Sequence, residues 1–257
     1  MNIDLTGKRA LVLGASGGLG AAIAKGLGAA GARVAVSSRS ADKLGTLFPD
    51  ADAYPRVAAD LAQAGAGPAI AEAALSALGG VDILVNNSGG PPPTSALGAT
   101  PEQWRAQFDA MVISLVTLTN ALVPGMRERR WGRVVTVASS GIVAPIPNLA
   151  LSNALRSALL GWSKTLASEV ARDGVTVNLI LPGRIATSRV EALDKATSER
   201  TGKSLDEVAK AALATIPAGR YGDPDEFAAA AVFLASPQAS YITGTTLRVD
   251  GGALRNV

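Results

Sequence analysis

The stretch LGASGGLG, residues 13–20, places Gly14, Gly18 and Gly20 in a G-x3-G-x-G spacing with Gly17 as an extra, between an apolar run and an Ala-rich segment. That spacing can hold a phosphate. Gly14 permits a tight turn, Gly18 lets a ligand approach the backbone, and Gly20 lets a following helix pack on the preceding strand. The N-terminus of that helix would then aim free N–H groups and the positive end of its dipole at a pyrophosphate. Ser16 and Leu19, in the same turn, are assigned to the ligand with the three glycines. The next apolar run ends in VAVSSRS, residues 34–40. An acid there would suit a ribose 2′-hydroxyl, whereas Ser38 and Arg39 suit a 2′-phosphate, which a guanidinium pairs with bidentately. The expected cofactor is therefore NADP(H) in preference to NAD(H).

Other chemistries fall away by residue type. The 257 residues include no His and no Cys, which removes Ser-His triads, thiolate chemistry, disulfides and the commonest metal ligands, so no metal site is expected. The net charge is only +3, and the pI of about 9.4 exaggerates it because few groups titrate near neutrality. The one basic run, RERRWGR at 127–133, reads as a solvated helix end, so no nucleic-acid partner is expected. No uninterrupted apolar run reaches the roughly eighteen residues of a membrane span. The opening MNIDLTGKRALVLG lacks the pattern of a signal peptide, and the expected location is cytoplasmic with no membrane partner.

Positioning these residues requires a regular scaffold. Strands are expected at 10–13, 33–37, 54–58, 83–86, 134–138, 176–180 and 246–249, and helices at about 18–30, 67–78, 101–129, 151–172 and 223–235. Such alternation predicts one α/β domain over residues 1–257, a doubly wound parallel sheet of about seven strands with helices on both faces (Rossmann-like). Thr100-Pro101-Glu102 and Asp223-Pro224-Asp225-Glu226 mark two helix starts. Residues 187–215 are the one long excursion, charged and weakly helical, and suit a substrate loop.

With the glycine turn, Asp60-Leu61, Asn86-Asn87-Ser88-Gly89 and Pro182-Gly183 in this order, the chain resembles the short-chain dehydrogenase/reductase family over nearly its whole length. The bacterial 3-oxoacyl-carrier-protein reductase-like members are especially similar. NNSG stands where the family has NNAG, GRVVTVASS matches the fifth strand with its serine, and VNLILPGRIAT matches the segment that holds the nicotinamide carboxamide. GRYGDPDEFAAAAVFLAS and YITGTTLRVDGG match the C-terminal helix and last strand. The resemblance implies that Asp60 and Leu61 line the adenine, Asn87 and Gly89 the adenosine ribose region, and that Ile185 and Thr187, after Pro182-Gly183, hold the carboxamide. It also implies a homodimer or homotetramer that packs the helices near 101–129 and 151–172 against their mates.

The family protonates its substrate oxygen with a Tyr, lowers that Tyr's pKa with a Lys four residues on, orients substrate with a Ser and supports a proton relay with an Asn. By the same resemblance the Ser is Ser139, while the Tyr, Lys and Asn positions hold Ser152, Arg156 and Met111. The only tyrosines are Tyr54, Tyr221 and Tyr241, so no register restores one here, and Lys164 matches a lysine found later on the same helix. An aliphatic hydroxyl is a poor acid, and an arginine holds its protons. General acid–base catalysis is typically worth about 10²–10⁴-fold, so an ordinary ketone reductase would be badly slowed.

Three readings follow. In the first, the chain is an oxidoreductase transferring hydride to or from a small carbonyl, imine or activated alkene, with an active site of Ser139, Ser152 and Arg156. Its proton would come from water, the substrate, or an acid such as Glu191, Asp194 or Glu199. In the second, it binds NADP(H) without turnover, as a sensor or partner subunit. In the third, the nucleotide site is vestigial or serves non-redox chemistry. Two simpler roles compete at single positions: Ser152 as a helix cap and Met111 as core filling. Convergence of Arg156, Arg184 and Arg189 on the pocket would suit an anionic substrate.

Overall fold

The runs RALVL, RVAVSS, RVA, ILVN, GRVVTV, VTVNLILP and TLRV form strands β1 (Arg9–Leu13), β2 (Arg33–Ser38), β3 (Arg56–Ala58), β4 (Ile83–Asn86), β5 (Gly132–Val137), β6 (Val175–Pro182) and β7 (Thr246–Val249). They build one parallel sheet in the order β3-β2-β1-β4-β5-β6-β7, in a computed structural model that describes residues 2–256. The alternation of side chains along each strand divides the core. Leu11, Leu13, Leu84, Val134 and Val177 pack on one face, and Ala10, Val12, Ile83, Val85, Val135 and Val137 on the other. Burial on both faces explains why β4 and β5 read as unbroken apolar runs.

The first face carries α3 (Ala66–Leu78), α4 (Pro101–Phe108), α5 (Ser114–Glu128) and α6 (Ala150–Val170). The second carries α1 (Gly18–Ala29), the short α2 (Ala41–Leu47) and α9 (Pro224–Leu234). Thr100 and Asp223 each close a capping box with a glutamine or glutamate at the third helical position, as their sequences predict. The sheet order reverses between β1 and β4. A ligand crevice belongs outside the carboxyl ends of strands at such a switch point, so Leu13, Asn86, Val137 and Pro182 all end on its border.

Several expectations need correction. The helix expected at 101–129 is broken by a π-helical turn at Asp109–Ile113, and Met111 lies on it, buried. Such turns frequently occur at functional sites. The helical run Pro101–Glu128 is long and apolar enough by composition to cross a membrane, although 44% of its most apolar window is buried within the molecule. The strand expected at 54–58 starts only at Arg56, because Tyr54 turns to stack on Phe48 with ring centroids 4.9 Å apart. The excursion at 187–215 is not weakly helical. It forms α7 (Ser188–Thr201) and α8 (Leu205–Leu213), the latter started by a Ser204–Glu207 capping box.

Candidate functional site

The glycine turn is built for close approach. Gly14 sits at φ +63, and a Cβ there would stand 2.7 Å from the Asn87 side-chain nitrogen and backbone oxygen. A Cβ on Gly20 would collide with the Gly14 carbonyl, so the first turn of α1 lies directly on the end of β1. Asn87 Nδ2 also donates to the Leu13 carbonyl at 3.2 Å, which ties the end of β4 to the end of β1. At the N-terminus of α1, Gly17 provides no side-chain cap and the first turn carries no acid, so its N–H groups and dipole face the crevice unneutralised. Ser16 and Leu19 flank this turn, half-buried, with Leu19 packed against the core. Gly18 faces Thr187, whose Cγ2 would lie 3.4 Å from a Cβ on Gly18. The structure thus brings the first and the last of the assigned cofactor segments together.

Ser38, at the end of β2, is buried and its hydroxyl is shared with the backbone of Ser40, while Arg39 is exposed and has no acid partner among the described residues. Asp60 is half-exposed and accepts from the Ala62 N–H at 3.0 Å. Leu61 packs against the core and its carbonyl takes the Ser114 hydroxyl at 2.6 Å. Gly89 is exposed, with open space where a side chain would go. At the end of β6, Pro182 is half-buried and Gly183 makes room for Asp250, whose Cα would be 2.5 Å from a Cβ there. Ile185 points into the core, and its carbonyl receives the Thr187 hydroxyl at 3.3 Å. Any hold of Ile185 on a ligand is therefore through its backbone.

Ser139, Ser152 and Arg156 lie where β5 meets α6. Ser139 Oγ accepts from the Gly141 N–H at 3.0 Å and starts a short 3-10 turn. Ser152 does not cap α6: the cap position is Leu149, with no side-chain bond, and Ser152 is buried within the first turn. Asn153 beside it pins the preceding loop through the Ile146 carbonyl at 2.9 Å. Arg156 is 7% exposed. Its Nη1 donates to the Val137 carbonyl at 2.8 Å and its Nη2 to the Ser88 carbonyl at 3.3 Å. No acid pairs with it among the described residues. Burial, and then the positive charge of Arg189, pull its pKa down to about 10, so it remains a cation at neutral pH. A buried charge without a counter-charge is costly, and it creates a strong demand for negative charge or oxygen lone pairs.

Arg184 does not join this group, contrary to the expected convergence of three arginines. Its Nη1 donates to Asp194, its guanidinium lies over the Tyr221 ring, and Tyr221 donates its hydroxyl to Asp194 at 2.8 Å. Asp194 is consequently buried and doubly engaged, so it is not a free proton source. Tyr221 is no substitute acid, because burial and then its bond to Asp194 raise its pKa. Glu191 and Glu199 are exposed on α7. Sequence reasoning missed Ser88 and Thr136, near the ends of β4 and β5, whose buried hydroxyls have no hydrogen-bond partner among the described residues. Their only sequence signal was their place at the strand ends.

Comparison with known proteins gives a consistent answer. A family model described as enoyl-(acyl carrier protein) reductase matches residues 14–253. The 3-oxoacyl-(acyl-carrier-protein) reductase FabG of Vibrio cholerae is 38% identical over 254 residues, covering 97% of this chain and 98% of that protein. The acetoacetyl-CoA reductase of Shinella zoogloeoides is 37% identical over 254 residues, with 95% and 97% covered. Among solved structures, L-sorbose reductase from Gluconobacter frateurii, complexed with NADPH and L-sorbose, superposes with a TM-score of 0.93 at 33% identity and full coverage of both chains.

Proposed function

The chain belongs to the short-chain dehydrogenase/reductase family, and from that premise we propose that it is a cytoplasmic NADP(H)-dependent oxidoreductase working without the family's Tyr/Lys pair. Its substrates are small carbonyls, imines or activated alkenes. The observation that carries this reading is Arg156, a buried, unpaired cation hung from the ends of β4 and β5 at the switch-point crevice.

The cofactor fits the residues present. Gly14 and Gly20 leave a cradle that a Cβ would fill, the N-terminus of α1 is uncapped, and Arg39 is free to meet a 2′-phosphate. Similarity to a reductase complexed with NADPH supports the same choice. Ser16, Gly18, Leu19, Ser38, Asp60, Leu61, Asn87, Gly89, Pro182, Gly183, Ile185 and Thr187 would complete the cofactor contacts, with Arg156 offering N–H groups to a ribose hydroxyl. Bound there, NADPH supplies the hydride.

The chain's own residues then manage charge. Arg156 stabilises an oxygen that becomes negative as hydride arrives, and does so without giving up a proton. Ser139 and Ser152 orient that oxygen through their hydroxyls, and water later protonates the product. An activated alkene suits this arrangement best, because hydride delivery to carbon need not be coupled to protonation of an oxygen. The reading includes a homodimer or homotetramer, to which the exposed Phe108 and Ile113 beside the π turn would contribute.

Fluorescence titration with NADPH and NADH, followed by turnover on ketone, imine and enone panels, tests the proposal. NADPH binding with imine or enone turnover is expected. Tight binding with no turnover on any panel would instead indicate the sensor or partner-subunit role, and no binding of either nucleotide would sink both.

A further inference from the structure

Two guanidiniums hold one short loop. Arg156 donates to the Ser88 carbonyl at 3.3 Å and Arg189, at the start of α7, donates to the Pro91 carbonyl at 3.1 Å. The two anchor residues, Ser88 and Pro91, are three Cα steps apart and so no more than about 11 Å from each other. Arg189 also crowds Gly90, where a Cβ would lie 3.1 Å from its Nη2. Neither arginine pairs with an acid among the described residues, and a guanidinium has five N–H donors. Arg156, 7% exposed, uses two of them on carbonyls, which leaves three without a partner among the described residues. The Ser88 hydroxyl, buried on the same loop, has no partner either. Two like charges beside unsatisfied donors favour an anion between them, and the planar guanidinium fork matches a carboxylate.

We propose that Arg156 and Arg189, at the two ends of the 88–91 loop, form a carboxylate-binding subsite, so that the substrate is a small carboxylate-bearing carbonyl, imine or activated alkene. This rests on the redox reading above and names its substrate class. Arg156 at the closed end meets the carboxylate with donors its two carbonyl bonds leave free, and exposed Arg189 at the mouth pairs with the same anion from the solvent side.

The test separates the subsite from the chemistry. Calorimetry measures binding of 4-oxo-4-phenylbutanoate and of its methyl ester to the protein with and without saturating NADP+. The acid is expected to bind about tenfold tighter than the ester. Arg189→Gln should bring the two within about twofold and Arg189→Lys should recover part of the difference. Equal binding of acid and ester, no binding of the acid, or a preference unaffected by Arg189→Gln overturns the proposal. So does a preference that NADP+ abolishes, since the cations would then serve the nucleotide's own phosphates. Turnover of 4-oxo-4-phenylbut-2-enoate with NADPH is read separately: its absence, with the acid preference intact, contradicts the redox reading and leaves the anion subsite standing.

Discussion

Arg156 Nη1 donates to the Val137 carbonyl at 2.8 Å, so the one buried cation of α6 is fixed to the end of β5, at the rim where strands β1, β4, β5 and β6 finish. An ammonium on the shorter reach of a lysine could not hold both this carbonyl and that of Ser88 in the same planar geometry. The arginine is thus a fitted element of the crevice.

Its protonation sets a pH dependence. Burial, and then the positive charge of Arg189, hold the Arg156 guanidinium well below an ordinary arginine, at about 10. Activity that needs the cation should be full below pH 9 and fall as pH rises through about 10. Stability moves the other way: the folded state releases this proton before the unfolded state does, so this group makes folding more favourable as pH rises above about 10. The loss of activity is therefore not unfolding by this group. In Arg156→Lys the fall should move to lower pH, because a lysine starts near 10.4 and burial lowers it further. Rate–pH profiles of both proteins check this.

Ser152 and Arg156 lie four residues apart on one face of α6, the spacing at which two side chains can cooperate. A Ser152→Tyr, Arg156→Lys double variant should gain ketone reduction by about 10²-fold, the low end of what a positioned acid supplies. Steady-state rates on a simple ketone measure it. Both single variants should gain less, since each lacks half of the pair.

Arg39 is exposed and unpaired, so its replacement should cost nucleotide discrimination more than stability. Arg39→Gln should weaken NADPH binding about tenfold and leave NADH binding within about twofold, because one charge-assisted bidentate contact is removed. Parallel fluorescence titrations with the two nucleotides show the ratio.

Gly14→Ala should be harmful for two reasons that act together. The residue holds φ +63, where an L side chain is strained, and its new Cβ would meet Asn87 at 2.7 Å. A stability loss of about 1–3 kcal/mol is expected, with loss of nucleotide binding. Thermal unfolding and NADPH titration report the two effects.

Much of the fold was legible because its signals are local. The alternation of Ala10 and Val12 against Leu11 and Leu13, and the caps at Thr100 and Asp223, each lie within a few residues of chain. The misses were short or long-range. Helix α2 has seven residues and one buried side chain, Leu44, too few for a visible period. The π turn at Asp109–Ile113 interrupts nothing in the apolar pattern. At the site, the glycine turn was readable from spacing, but the burial of Asp194 was not. It depends on Arg184 and Tyr221, ten and twenty-seven residues away in the chain. The direction of Ile185 was hidden for the same reason, since its parallel bridge to Gly222 is what turns the side chain into the core.

Hydride reaches carbon here without a coupled proton donor in the proposed reaction. The most direct test is the ratio of kcat/KM values with NADPH for an activated alkene and for the saturated ketone of the same skeleton. The alkene should be favoured by about 10²-fold or more, the rate that a missing general acid withholds from the ketone. A ketone reduced as fast as the alkene would contradict it.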